Sequence, residues 1–591
     1  MPDNSNEWTV PAQLRHRAAE RPQDIAHRVV GGEDLTFADW EVASNRAAHG
    51  LIERGVRPGE RVLLPCSTGT WIDYAVAWAA VLKAGAVAVP LHQSAGAERM
   101  ASTARESGAV CAVGGGPVPL PDTPQYTVAV LADGQPTGSV DVSCSAGDDA
   151  EIIYTSGTTG VPRGVVATHE NLLYPLRGSR ARQARTALHA LPPATTVGQG
   201  LLIQPLCVSP HRTFTLGRFV PAEFLAAIED QRPTDVVLVP AMAIALVNAA
   251  TAGEHDLGCV RQVRTTSAPI HPATLEALAR LFPTARIRNV YSTTECWPRR
   301  LATDFDRTRP TSLGRPAEGS EVRIVDGAGD VVPARTAGDV QLRSEAPQRR
   351  YDGEDLRSAV FLPGGWTRTG DVGLVDEDGY FYLVDRNPDL VNSGGTNVST
   401  LDVEAAAMAY PGVIEAAVFG VPHPVLTESV VAAVRTRPGL DPADLAEHLR
   451  RAKGSAAPQR IVVVEDLPRN LLGKIDKKQL RKDFVAGTTA GGYEAPSTAT
   501  EQLVAGLWAS ALDLDRVSAA DDFLQIGGSS LTAMEVVAQV TGQLAKRVTV
   551  RDILDAPTLR AFAERVDAAP AVNPDDEAIV PVADGSVTAP R

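Results

Sequence analysis

Between Tyr154 and Gly164 the chain reads Tyr-Thr-Ser-Gly-Thr-Thr-Gly-Val-Pro-Arg-Gly, directly after an apolar run. Glycines let backbone N–H groups turn toward an anion, and the hydroxyls add further donors. That chemistry suits a polyphosphate, and the same composition also makes a plain flexible turn. The spacing GxxxxGK[ST] is absent, so this is not a P-loop. A second group, Asp522-Phe-Leu-Gln-Ile-Gly-Gly-Ser-Ser-Leu531, places two serines before a helical pattern. Ser529 or Ser530 can act there as an ordinary N-cap. A third, Lys474, Lys477 and Lys478 with Arg481, is the densest basic patch.

Such groups need elements to hold them. From about residue 8 to 385, short β-rich runs alternate with helical periodicity. RVLLPC, AVAVPL, AVCAV, EIIYTS, DVVLVP and IRNVYS read as buried strands, with amphipathic helices such as ATLEALARLF between them. This alternation predicts α/β architecture with largely parallel sheets. Trp71 to Leu91 contains Asp73, Lys83 and Pro90. It falls short of the roughly 20 apolar residues of a membrane span and predicts a buried helix followed by a strand.

A smaller unit follows Asp385. Its strands lie around VIEAAVFGVP, VVAAVRT and RIVVVEDL, and its helices around VSTLDVEAAAMAY and DPADLAEHLRRA. Residues 486–498, rich in Gly, Ala, Thr and Pro, read as a linker. From 499 to 568 the pattern is purely helical, as in a small bundle. Residues 569–591 have the composition of a disordered tail.

With 591 residues, about three to five structural units are expected. The net charge of −15, with no clustered Lys and Arg stripe, argues against nucleic acid as a partner. The N-terminus lacks the basic and apolar regions of a secretory signal. The six cysteines show no CxxC or Cys/His ligand spacing. Reduced thiols in a cytoplasmic protein, with no structural zinc, is the expectation.

Taken together, the motifs bear a family resemblance. YTSGTTGVPRGV resembles the phosphate loop of the adenylate-forming superfamily: acyl-CoA synthetases, aryl-acid ligases and the adenylation domains of nonribosomal peptide synthetases. LTFADWEVASNRAAHGLIERGVRPGERV, VLKAGAVAVPL, NVYSTTE, SLGRP, WTRTGDVG, YFYLVDR, SGGTNVSTLDVE and PRNLLGKIDKKQLR resemble its other motifs, in its order. DxFLxxGGSS resembles the phosphopantetheine attachment site of carrier proteins. The resemblance implies a large α/β N-terminal domain (1–385) and a small α+β C-terminal subdomain (386–485). An all-α four-helix carrier bundle (499–568) would follow.

It also implies roles. Thr155, Ser156, Gly157, Thr158, Thr159 and Gly160 would hold the β- and γ-phosphates of ATP, and Tyr291 and Ser292 would lie against the nucleotide. Thr294 and Glu295 would place the α-phosphate and Mg²⁺, for which oxygen ligands are apt. Asp371 would accept the ribose hydroxyls, and Arg386 would lie near ribose and phosphate. Lys474 would bridge the substrate carboxylate and the α-phosphate as charge builds. Lys477 and Lys478 read as solvated surface charges. Gly394 and Gly395 would line a pantetheine tunnel, and Ser530 would carry 4′-phosphopantetheine.

This sequence departs from the family at Arg163 (usually Lys), Ser292 and Asp385 (usually Gly) and Pro388, at the hinge position usually held by Asp or Lys. Amino-acid-activating members place an Asp where this chain has Thr196. The substrate is therefore expected to be a carboxylic acid other than a standard α-amino acid. Ser267, Val290, Pro298 and Arg299 are further pocket candidates, and Arg299 could pair with a second anionic group or be a surface charge.

The expected activity is ATP-dependent adenylation with pyrophosphate release, then thioester loading onto the arm in nonribosomal peptide or related biosynthesis. Expected partners are a phosphopantetheinyl transferase and a downstream condensation or tailoring enzyme, with no membrane. The C-terminal AIVPVADGSV faintly resembles the opening of a condensation domain. Two alternatives stand beside this: an acyl-CoA ligase with an incidental carrier, and a scaffold that does not adenylate.

Overall fold

The computed structural model describes residues 8–571, except 115–119, 121–122, 156–162, 175–183, 208–210, 250–252, 299, 317–318, 354–359, 424–425, 471–472, 486–494, 513, 515, 520, 522, 524–525, 527, 529 and 557.

In chain order, the first sheet is built around β1 (Arg61–Cys66), α1 (Trp71–Lys83), β2 (Val87–His92), β3 (Asp149–Thr155) and β4 (Arg163–Thr168). β1 pairs in parallel with β2, and β2 with β3. β4 returns antiparallel to β3, with Thr155 opposite Arg163. α1 carries Trp71, Tyr74, Trp78 and Leu82 and is buried along nearly its whole length. A helix apolar on all sides needs cover on all sides. Its last residue, Lys83, is also buried and donates to Glu41 Oε2 and Asn45 Oδ1, both at 2.6 Å.

Among the described residues the second sheet has thirteen strands. β5 (Arg185–His189), α2 (Thr196–Cys207), β6 (His211–Thr215), β7 (Asp235–Leu238), β8 (Gln262–Thr265) and β9 (Arg286–Tyr291) form its parallel part. The spatial order there is β9-β8-β7-β5-β6. One face, with Val236, Leu238, Val263 and Ile287, packs on the helices Pro221–Gln231 and Pro272–Leu281. The other face, with Ala187 and Val237, packs on α2 through Leu201, Leu202, Ile203 and Leu206.

The expectation of largely parallel sheets holds to Tyr291 and then reverses. β10 (Leu301–Asp304) runs antiparallel to β9. After three further strands of this sheet, Ser312–Pro316, Ser320–Val325 and Gly338–Ser344, the short strand β11 (Arg350–Tyr351) leaves it and pairs antiparallel with β4. β12 (Thr367–Val375) and β13 (Phe381–Arg386) then pair as an antiparallel hairpin. Connections this short close antiparallel pairs, whereas parallel pairs need a crossover.

The chain divides into two compact units: Met1–Leu390 with Pro468–Asp476, and Val391–Leu467 with Lys477–Arg591. The large unit runs past Asp385 because Arg386 is in register with Asp371 and a 3₁₀ turn, Asn387–Asp389, follows.

The second unit contains a five-stranded sheet with helices Thr400–Met408 and Pro442–Lys453 on it. Among the described residues its carrier part has four helices: Ala499–Leu512, α3 (Ser530–Leu544), Val550–Asp555 and Leu559–Ala568. Their core is aromatic, with the Trp508 ring 4.8 Å from Phe523 and 6.1 Å from Phe562. Ala569 to Ala571 read as tail in the sequence, yet they are bonded to this part. Arg547 N donates to Pro570 O at 2.9 Å, and Lys546 bridges Ala571. The rest of the expected tail lies outside the described residues.

Among the described residues no helix is long and apolar enough to cross a membrane. Cys66, Cys111, Cys144, Cys259 and Cys296 are free thiols.

Candidate active site

Four segments of the large unit supply the site. The first is the pair of strand ends, Thr155 of β3 and Arg163 of β4, that flank residues 156–162. Thr155 ends β3 and Arg163 opens β4, and the Thr155 hydroxyl donates to Arg163 O at 3.5 Å. Ser156, Gly157, Thr158, Thr159 and Gly160 lie outside the described residues. The Arg163 guanidinium sits 5.4 Å from the centre of the Tyr351 ring.

The second segment is the turn after β9. Thr293 caps it, accepting from Cys296 N at 3.3 Å through its hydroxyl, which fixes Thr294 and Glu295 in the first positions of the turn. Thr196, the first residue of α2, donates its hydroxyl to Thr294 Oγ1 at 3.1 Å. Glu295 Oε1 accepts from the Tyr351 hydroxyl at 3.2 Å. Ser292 directs its hydroxyl to Thr293 O at 3.2 Å.

The third segment is the β12–β13 hairpin. Its register sets Asp371 opposite Arg386. Arg386 Nε donates to Asp371 Oδ1 at 3.1 Å, and the Tyr291 hydroxyl to Asp371 Oδ2 at 2.5 Å. Both carboxylate oxygens are therefore already oriented by protein donors, and each keeps a lone pair for a further hydroxyl. Burial, and then the Asp371 charge, hold the Tyr291 phenol well above its ordinary range. Asp385 is buried, and its Oδ1 accepts from Arg386 N at 2.8 Å. Pro388 lies in the first turn of the 3₁₀ segment, where a missing N–H leaves no bond unmade.

The fourth segment is Pro468–Asp476, which belongs to the large unit although its neighbours in sequence do not. Asn470 N donates to Lys474 O at 2.8 Å, and Lys474 N donates to Asn470 Oδ1 at 3.1 Å. This closes a turn that presents Lys474. Burial pulls the Lys474 ammonium down to about 8, and the Arg386 charge adds to this against Asp371 and Glu295. These shifts place Lys474 among Arg386, Asp371 and Glu295. Among the described residues its ammonium makes no ion pair.

A strand that the motifs did not single out ties the first two segments together. β11 pairs with β4 so that Tyr351 faces Val165. Arg349, buried just before it, donates to Thr294 O at 3.2 Å. Arg350 forks onto both Asp149 oxygens, at 2.8 and 2.5 Å. Asp352 N donates to Gly164 O at 2.8 Å. Burial, and then Glu295, push the Tyr351 phenol up to about 12. The run QRRYD carries no spacing that marks it in the sequence.

The pocket candidates divide. Val290 lies on β9 in register with Ala302. Ser267 follows β8 with φ 79°, a left-handed conformation that strains an L-residue. Trp297, just before Pro298, lies 3.8 Å from where a Cβ on Gly200 of α2 would stand. Arg299 lies outside the described residues.

Two sequence candidates fall in the second unit. Gly394 and Gly395 have φ 58° and 81° and form the turn of the hairpin Val391–Ser393/Thr396–Val398. Consecutive positive φ values are what a two-residue hairpin turn requires. Ser530 is the first residue of α3. Before it, Gly528 N donates to Phe523 O at 2.8 Å, and a Cβ there would come within 2.4 Å of Phe523. Glycine is therefore obligatory at that approach.

The donor set fits a metal-bound nucleotide: cations at Lys474, Arg386 and Arg163, hydroxyls at Thr155 and Thr294, and a carboxylate at Glu295. Among the described residues no three His, Cys, Asp or Glu side chains converge as a metal cage. Mg²⁺ would therefore rest on one carboxylate and on phosphate oxygens, its usual arrangement beside a nucleotide.

Comparison with known proteins identifies the family. Residues 14–351 match the AMP-binding enzyme family, 402–474 its C-terminal domain, and 502–566 the phosphopantetheine attachment site. A feruloyl-CoA synthase of an Amycolatopsis species is 32% identical, over 79% of this chain and 97% of its own. The phosphinothricin tripeptide synthetase PhsC of Streptomyces viridochromogenes is 30% identical over 96% of this chain, which spans 54% of that protein.

The anthranilate CoA ligase AuaEII, solved with anthranoyl-AMP, superposes with a TM-score of 0.74 at 25% identity, covering 81% of this chain and 98% of that one. The McyG A-PCP structure shares the fold over 96% of this chain and 99% of its own, with a TM-score of 0.73 at 18% identity. The chain belongs to the AMP-binding enzymes: it is an acid–thiol ligase that activates a carboxylic acid by adenylation with ATP and Mg²⁺, and it carries its own phosphopantetheine-binding domain.

Proposed function

We propose that this chain activates a carboxylic acid other than a standard α-amino acid and loads it onto the 4′-phosphopantetheine arm of its own Ser530. The setting is nonribosomal peptide or related natural-product biosynthesis. The observation that carries the choice of acid is Thr196. An uncharged hydroxyl, committed to Thr294 at 3.1 Å, stands where a carboxylate would be needed to pair with a substrate ammonium.

In this reading Lys474 holds the negative charge that develops when the acid's carboxylate attacks the α-phosphate. A placed cation of this kind contributes about 3–4 kcal/mol. Thr294 and Glu295 orient the α-phosphate and Mg²⁺. Thr155, Arg163 and the hydroxyls of 156–160 hold the departing pyrophosphate. Asp371, pre-oriented by Tyr291 and Arg386, holds the ribose. The arm supplies a thiol that takes the acyl group with release of AMP. A carrier on the same chain raises that thiol's effective concentration to the order of millimolar. Loading in cis is thereby favoured over transfer to free CoA. A phosphopantetheinyl transferase installs the arm, and a condensation or tailoring enzyme receives the thioester.

The second reading, a ligase that releases acyl-CoA, is supported by the similarity to a feruloyl-CoA synthase. Intact-protein mass spectrometry of the holo-chain with ATP, CoA and a panel of acids separates the two. An acyl mass on Ser530, lost in Ser530→Ala, supports loading. Acyl-CoA as the main product, with an unloaded arm, would overturn it.

A further inference from the structure

α2 lies over one face of the second sheet, and the strands beneath it carry cations. Register partners on neighbouring strands point to the same face. Val237, which packs under α2, is in register with Arg264, and Arg264 with Arg288. On β6, Thr213 donates to Leu201 O of α2 at 3.1 Å. His211, two residues earlier, points the same way. Arg300 precedes β10 and shares the face of Ala302 and Val290. Its guanidinium lies 5.8 Å from the Trp297 ring.

The charges here do not balance. Arg185 is paired with Asp235 through Nε at 3.1 Å and also through Nη2, and Arg288 is paired with Asp304 at 3.1 Å. Arg264 and Arg300 make no ion pair among the described residues. Arg264 Nε and both ring nitrogens of His211 are buried without a hydrogen-bond partner. His211 is only 6% exposed. Burial pulls Arg264 down to about 10; Asp235 opposes this, and Arg185, Arg300 and Arg288 add to it.

From above, Thr196, Gly200 and Gln204 form one stripe of α2 by their i+4 spacing. Gln204 Oε1 is likewise buried without a partner. Gly200 leaves the stripe open, since a Cβ there would meet only Trp297, at 3.8 Å. An unpaired guanidinium whose Nε is buried, beside an unbonded buried imidazole, is costly unless something anionic completes it.

We propose that the acid taken by this enzyme carries a second anionic group, a carboxylate, sulfonate or phosphonate, which enters beneath α2 and meets Arg264, Arg300 and His211. This rests on the adenylation reading above and narrows its substrate. Arg264 and Arg288 stand three residues, about 10 Å, down the strands from the level of Tyr291. For an acid whose reacting carboxylate lies level with Tyr291, the two anionic ends are on the order of 10 Å apart. That length describes a short dicarboxylic acid or one spaced by a single ring. Arg264 and Arg300 would supply this charge from the sheet, whatever Arg299, outside the described residues, adds.

The test is ATP–pyrophosphate exchange by the full chain with matched pairs, each acid with a second anion set against its monoamide or monomethyl ester. Wild type should favour the dianionic member at least ~100-fold in kcat/KM. Arg264→Met and Arg300→Met should each bring the ratio toward unity, mainly through KM, and Arg264→Lys should restore part of it. A wild-type preference for the neutral member overturns the proposal without any variant. So does a preference unmoved in Arg264→Met and Arg300→Met. Exchange with neutral acids alone leaves the adenylation reading standing and removes only this inference. Exchange with no acid in either arm removes both.

Discussion

Lys474 offers the sharpest test of the site, because its environment fixes the pH at which it can act. Burial and Arg386 bring its ammonium down to about 8 from the usual 10.5. At pH 7 roughly nine in ten molecules carry the charge, and at pH 9 about one in ten does. If only the charged form stabilises the transition state, kcat/KM for exchange should fall about tenfold per pH unit above 8, since that ratio reports the free enzyme. The profile for kcat should turn over at higher pH, because bound phosphates favour the charged form.

Stability runs the other way. The folded pKa lies below the unfolded one, so the unfolded chain binds more protons between pH 8 and 10.5. Fold stability from this group therefore rises across that window. The charged lysine costs the nucleotide-free fold stability at neutral pH, and nucleotide should raise Tm more at pH 7 than at pH 9. Lys474→Arg keeps a charge that does not titrate in this range, so it should remove the alkaline limb at a lower absolute rate. Lys474→Ala should lose about 10²–10³ in kcat. An alkaline limb in the same place in Lys474→Arg would refute the assignment, because Lys83 and Glu151 also titrate near 8.

Three other outcomes follow from the geometry. Tyr351→Phe keeps the ring edge on Phe361 at 5.1 Å but loses the bond to Glu295. The half-saturating Mg²⁺ concentration in exchange should rise about tenfold with Tm unchanged. Glu151 is buried, accepts from Trp78 Nε1 at 3.1 Å and is raised by burial to about 8. The fold therefore binds more protons than the unfolded chain between pH 4.5 and 8, and stability falls as pH rises through that window. Glu151→Gln should stabilise on the order of 2 kcal/mol at pH 7 and little at pH 4, measured by urea unfolding. Gly198→Ala would set a Cβ 2.2 Å from Pro192 O and should cost at least about 2 kcal/mol. Gly200→Ala, with its nearest neighbour at 3.8 Å, should be tolerated in the same unfolding assay.

The sequence makes legible what short spacing encodes. The run into Thr155 and the Thr294–Glu295 pair each lie within one local motif, and Asp371 and Arg386 lie in two motifs joined by a short hairpin. Their elements follow from alternation and turn chemistry. What it leaves hidden depends on pairing across long separations. β11 joins β4 from nearly two hundred residues away, which alone reveals Arg349 and Tyr351 as a brace on Thr294 and Glu295. Arg264 sits in QVRT as one member of an alternating strand, and the alternation does not say which face α2 will cover. Pro388 stands out in its motif as a departure, but the motif does not show the 3₁₀ turn that accommodates it.

The route of the chain has a consequence for dissection. It leaves the large unit after Leu390, returns at Pro468 and leaves again after Asp476. No single cut isolates the two units intact. A truncation at Leu390 keeps the strands, Asp371 and Glu295 but discards Lys474, while the remainder carries Lys474 without the groups that surround it. The active site is thus split along the gene, and a peptide spanning 468–476, added to the truncated protein, is a direct way to ask whether the two halves can be reassembled in trans.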